Sequence, residues 1–170
     1  MRSVMVLFLF VAASVIAQGQ IKDQAEFALN SAGCGPSQVS FDVTVDKSQH
    51  PLIQPETGKA LIYVINGTNG YVGTNGYISK VGADGTWVGA NRPKSYFSFS
   101  VDPGDHHICA SMQGDHFQGT ATSFTAVAGQ VLYFRLSVKE GPYWQLKAID
   151  PAQGQFLIAS SALSRSQPKK

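Results

Sequence analysis

Val131-Leu132-Tyr133-Phe134-Arg135-Leu136-Ser137-Val138 is the stretch whose reading decides the fold. Leu132, Phe134, Leu136 and Val138 fall on one face, and Tyr133, Arg135 and Ser137 fall on the other. That period of two belongs to a strand and not to a helix. Turn chemistry bounds the stretch, with Ala128-Gly129 before it and Glu140-Gly141-Pro142 after it. Outward from there, 120–127 and 143–149 read as its neighbouring strands.

The same grammar continues upstream. Val39, Phe41, Val43 and Val45 alternate with Ser40, Asp42, Thr44 and Asp46, the pattern of a half-buried strand. Ala60 to Ile65 is apolar at every position except the amphipathic Tyr63, as expected of a strand covered on both faces. Residues 78–83 and 86–89 flank Asp84-Gly85 and predict a hairpin. Phe97, Phe99 and Val101 alternate with serines, Asp102-Pro103-Gly104 turns, and 105–112 follows as a further strand. Phe156 and Ile158 are expected to close the fold. About eight or nine short strands predict an all-β fold, an antiparallel two-sheet β-sandwich, with an open barrel as the alternative. The sandwich is assigned to 37–160, and the polar residues 161–170 to a loose tail.

The other end of the chain speaks of export. Arg2 precedes an uncharged run, Val4 to Ile16, that ends with Val15 and Ala17 at the positions a signal peptidase reads. A cleaved signal over 1–17 is expected, with a cut after Gly19 as second choice. The run is too short for a span, because Gln18-Gly19-Gln20 interrupts it and a spanning helix needs about 20 apolar residues. No cysteine stands at the cut, so no lipid anchor is expected. A lead-in segment over 18–36 follows, with Ile21, Gln24, Ala25, Ala28 and Leu29 at helical spacing.

Export gives the two cysteines, Cys34 and Cys109, a redox context in which disulfides persist. One intramolecular bond is expected, against the alternative of two buried thiols. Two cysteines alone do not make the usual four-ligand zinc site. The chain has 13 basic and 11 acidic side chains, and the signal removes only Arg2, leaving 12 − 11 = +1. Nothing there holds a phosphate backbone, so no nucleic-acid partner is expected.

Candidate chemistry is sparse. Asp105, His106, His107, Asp115 and His116 are the densest polar group, but adjacent strand residues point to opposite faces. His107, Asp115 and His116 are weak metal candidates, the alternative being a solvated hairpin rim. No Gly-x-Ser-x-Gly elbow, phosphate loop or His-Glu-x-x-His helix occurs, so no catalytic residue and no cofactor is assigned. Gly67-Thr-Asn-Gly-Tyr71 and Gly73-Thr-Asn-Gly-Tyr77 form a tandem echo that reads as a glycine-rich loop. Tyr71, Tyr77 and Trp87 are possible ligand contacts, against ordinary packing for the aromatic residues in strands. Asn66-Gly67-Thr68 also spells a glycosylation sequon.

From Gly58 onward, Gly58-Lys-Ala-Leu-Ile-Tyr-Val64, Asp84-Gly-Thr-Trp-Val-Gly89, Tyr96-Phe97 and Pro103-Gly-Asp-His-His107 resemble the bacterial DUF2846 family. Ala128-Gly129 before Val131-Leu-Tyr-Phe134 is similar to a further segment of that family, and the match covers about 58–158. The Asp-Gly and Pro-Gly elements also resemble PEGA-type surface modules. The resemblance implies a bacterial exported or envelope-associated β-sandwich with no catalytic residues to carry over. The expectation is a non-enzymatic periplasmic or secreted module that binds a protein or cell-envelope component. A glycan-binding module is the alternative, and a metal-dependent hydrolase the third reading.

Overall fold

Strand β2 (Ala60–Asn66) is buried at every position, and the architecture is arranged around it. The computed structural model describes residues 34–36, 38–69, 77–114, 119–138 and 144–170. The expected signal and the helical spacing at 20–30 lie outside them. In chain order the other strands are β1 (Phe41–Asp46), β3 (Ser79–Ala83), β4 (Thr86–Asn91), β5 (Ser95–Val101), β6 (Gly104–Met112), β7 (Thr120–Ala126), β8 (Val131–Val138), β9 (Trp144–Ile149) and β10 (Ala162–Pro168). One helix, α1 (Pro151–Ala159), precedes β10.

The strands form two sheets, one ordered β1-β10-β5-β2-β8-β9 and the other β4-β3-β6-β7. The fold is therefore the β-sandwich expected, mostly antiparallel, with ten strands among the described residues. Two pairs depart from the antiparallel expectation: β2 with β8, and β10 with β5. Strand order is a long-range property, and alternation within a strand says nothing of its neighbour's direction.

Ala60, Ile62 and Val64 of β2 face the second sheet and pack with Val81, Phe97, Ile108, Ala110, Phe134 and Leu136. Full burial of such side chains contributes about 1.5–3 kcal/mol each, so this slab outweighs any single hydrogen bond at about 1 kcal/mol. Leu61, Tyr63 and Ile65 face the other way, into a second core with Tyr96, Tyr133 and Ile158. Helix α1 provides the cover. Asp150 caps it by accepting from Gln153 N at 2.9 Å, and Pro151 opens its first turn. Gly154 lies flat on the Tyr133 ring, where a Cβ would collide with it.

The expectations at the C-terminal end meet different outcomes. Of the two residues expected to close the fold, Ile158 does so from α1, buried in the second core, whereas Phe156 on the same helix is 72% exposed. Residues 161–170 are not a loose tail, because β10 pairs with β1 from Phe41↔Pro168 to Asp46↔Leu163. The ordered sandwich thus runs beyond 160, as far as Pro168. The segment is polar for a local reason: Ser164 Oγ bonds Ser95 Oγ at 2.7 Å, and Ser166 Oγ accepts from Ala90 N at 2.9 Å. Its buried serines are satisfied by neighbouring strands and so need no apolar residue in their place.

Candidate functional site

On the outer face of the four-stranded sheet, the chain's own lead-in occupies the surface. Cys34 and Cys109 are joined by a disulfide, with Cα atoms 5.5 Å apart. Gly82 pairs with Cys109 across β3 and β6, and its missing Cβ leaves room for the Cys34 carbonyl. Trp87 Nε1 donates to Pro36 O at 2.7 Å. Lys80 Nζ donates to Val39 O at 2.9 Å and sits 4.3 Å from the Trp87 ring centre. Burial lowers the Lys80 pKa, and the indole face and carbonyl keep the ammonium solvated by the protein. Gln113 closes the row, accepting from Phe41 N at 2.7 Å and donating to Phe41 O at 3.2 Å.

Trp87, named as a candidate ligand contact, is half-buried and takes part in this arrangement. Lys80 covers its ring, a Cβ at Gly35 would lie 2.9 Å from the ring, and its N–H is already bonded. Tyr77 lies on the described boundary of the glycine-rich loop and is partly exposed, whereas Tyr71 lies outside the described residues. The sequon asparagine is consumed by the fold. Asn66 is fully buried, accepts from Thr68 N at 3.1 Å and Thr68 Oγ1 at 2.6 Å, and donates to Ser79 Oγ at 3.0 Å. A glycan on Nδ2 has no room in the folded chain.

The Asp-His-His triplet separates as strand geometry requires. His106 turns inward at the rim and stacks on Phe124 at 5.4 Å, while His107 is exposed. His106 Nδ1 is 2.6 Å from Asp84 Oδ2, and Nε2 is 2.7 Å from Asp102 O. Both partners present acceptor oxygens, a geometry that the doubly protonated ring satisfies at both nitrogens. The Asp84 hydrogen bond, chiefly, raises the His106 pKa against the opposing effect of burial. Burial acts to raise the Asp84 carboxyl, but His107 N–H at 2.8 Å and the hydrogen bond and charge of the His106 ring outweigh it and hold the group below its usual value. This cluster is a clamp between the β3–β4 and β5–β6 turns. Among the described residues no group of three or more His, Cys, Asp or Glu converges as a metal site, and Asp115 and His116 lie outside them.

The outer face of the six-stranded sheet is less completely closed. Between α1 and the strap 51–54 lies a cleft of about 350 Å³, within the size range of small-molecule sites. Leu52, Ile53, Gln54, Tyr63, Val131, Tyr133, Pro151 and Gln155 line it, so its walls carry no formal charge. Tyr63 and Tyr133 stack at 5.3 Å beneath it. Tyr63 Oη accepts from Ile53 N at 2.9 Å and so holds the strap. Leu52 and Ile53 remain 56% and 47% exposed, an apolar rim beside two glutamine amides. Sequence reading missed this site. The one available signal was Asp150-Pro151, a helix start that would have placed a cover over β8.

No protein-family model, curated protein or solved structure matches the chain. The disulfide indicates a non-cytoplasmic, oxidising environment. Among the described residues no helix is long and apolar enough to cross a membrane.

Proposed function

We propose that this chain is an exported, non-enzymatic accessory module of the bacterial envelope, related to the DUF2846 family, that binds a protein or envelope component. One observation carries the reading: the uncharged cleft between α1 and the strap, with an exposed apolar rim at Leu52 and Ile53. An apolar group of the partner seats over Tyr63 and Tyr133, and the Gln54 and Gln155 amides take its polar neighbours. The disulfide supports delivery to the periplasm or the medium after signal cleavage. The test is capture from native envelope extract by the wild type, Leu52→Glu and Gln155→Glu. Both substitutions place a charge at an exposed rim position without touching the core. Loss of the captured component in both variants, at unchanged melting temperature, supports the cleft. Undiminished capture, or substrate turnover that disappears in His107→Ala, overturns the reading.

A cell-wall glycan is the alternative occupant, favoured by the absence of charge from the lining and by its two amides. On this reading the glycan sits in the cleft and not on Trp87, whose ring already meets the Lys80 ammonium. A glycan array repeated with Gln155→Glu and Tyr77→Ala separates the cleft from the glycine-rich loop.

A further inference from the structure

On the opposite stretch of the same outer face, Arg135 of β8 pairs directly with Lys147 of β9. Like charges facing each other across a strand pair repel, so this pairing costs stability unless something neutralises it. The strand alternation assigns Tyr96, Ser98 and Ser100 of β5, Leu61, Tyr63 and Ile65 of β2, and Gln145 and Ile149 of β9 to the same face. No acidic side chain stands among these described positions. Arg135 is half-buried, and its Nε is enclosed without a hydrogen-bond partner among the described residues. The Tyr96 hydroxyl is in the same condition, and the register places both residues in one row, with Ile65 between them. A buried donor left without an acceptor costs about 1–3 kcal/mol, so the orphaned Nε marks a guanidinium held in place at a cost.

Gly67 explains how the guanidinium is held. A Cβ at that position would lie 2.6 Å from Arg135 Nε, so the backbone of residue 67 lies directly against the side chain. An oxyanion would meet the terminal Nη groups, since Nε is enclosed against residue 67. A planar guanidinium fork matches two oxygens of one oxyanion, and Lys147 across the ladder adds a second positive charge.

We propose that Arg135, with Lys147 beside it and Gly67 positioning it, is a binding site for an oxyanion, either a carboxylate or a phosphate group. The site is independent of the cleft reading, since none of its residues lines the cleft. The test is titration of the mature chain with inorganic phosphate and with acetate, against sodium chloride at matched ionic strength. Binding is followed at the Arg135 Nε–H resonance by NMR. The expected result is a saturable shift with phosphate or acetate that chloride does not reproduce, the tighter of the two identifying the oxyanion class. Arg135→Gln is expected to weaken binding about tenfold, as for the loss of a bidentate charge-assisted pair, and Lys147→Gln about threefold. Gly67→Ala, which displaces the guanidinium, weakens it as well. A response linear in ionic strength and equal in chloride overturns the proposal, as does an undiminished phosphate response in Arg135→Gln. Should Arg135→Gln fail to fold, unchanged affinity in Lys147→Gln, an exposed position, overturns it equally.

Discussion

The two outer faces of the sandwich are closed by opposite means. The four-stranded sheet is covered by the chain's own lead-in, fixed by a disulfide and by named donors from Lys80, Trp87 and Gln113. The six-stranded sheet is covered by α1, which rests on Tyr133 by packing and leaves a cleft on one side. Directional bonds to the backbone fix a segment at particular atoms and leave little room for a ligand. Non-directional apolar cover tolerates gaps, and the gap is where the candidate site lies.

Breaking the pinned face should have the largest effect. Replacing both cysteines by alanine opens a loop spanning 75 residues and is expected to cost about 4 kcal/mol in the chain-entropy picture, read as a lower urea midpoint. Loss of under 1 kcal/mol would mean that Trp87 and Lys80 hold the lead-in by themselves. On the packed face, Gly154→Ala drives a methyl into the Tyr133 ring and should cost about 1–3 kcal/mol, as overpacking does. Its signature is faster hydrogen exchange in α1 with the inter-sheet core still protected. Equal loss of protection in both regions would erase the distinction between the faces.

A smaller effect belongs to the rim clamp. The raised His106 pKa contributes stability that is complete below its unfolded value near 6.5 and disappears as pH rises through the folded value. The lowered Asp84 pKa contributes stability present above about 3.8 and lost as pH falls through its folded value. The clamp is therefore strongest between these limits. Asp84→Asn should cost about 1 kcal/mol at pH 5.5, a modest figure because Asp84 is half exposed, and should flatten the decline that sets in as pH rises above the unfolded His106 value. Retention of the full pH profile in that variant would assign the titration elsewhere. The smallest effect is expected from Tyr63→Phe, which removes the acceptor for Ile53 N. Exchange at Ile53 should accelerate severalfold with little change in melting temperature.

Much of the fold was legible because strands advertise themselves by local alternation. β8, the β3–β4 hairpin and the doubly covered β2 all read directly from the residues. The disulfide was legible because a chain with two cysteines has only one possible intramolecular pair. β10 was not, since its serines look like a tail until Ser95 and Ala90 N are set beside them. Helix α1 was hidden by Gly154, a poor helix residue chosen for its contact with Tyr133. Trp87 looked available for a ligand, because nothing in its neighbourhood names Lys80 or Pro36 as its partners.

The sequence by itself determined that this is an all-β chain, where its turns lie and which cysteines pair, since each depends on periodicity, turn chemistry or counting. Tertiary structure alone decided which strands run parallel, which aromatics stay accessible, and that a cleft and a cation pair share the helix-covered sheet. Those properties depend on contacts between residues far apart in the chain, such as Arg135 with Lys147 and Gly67, and local pattern carries no record of such distances.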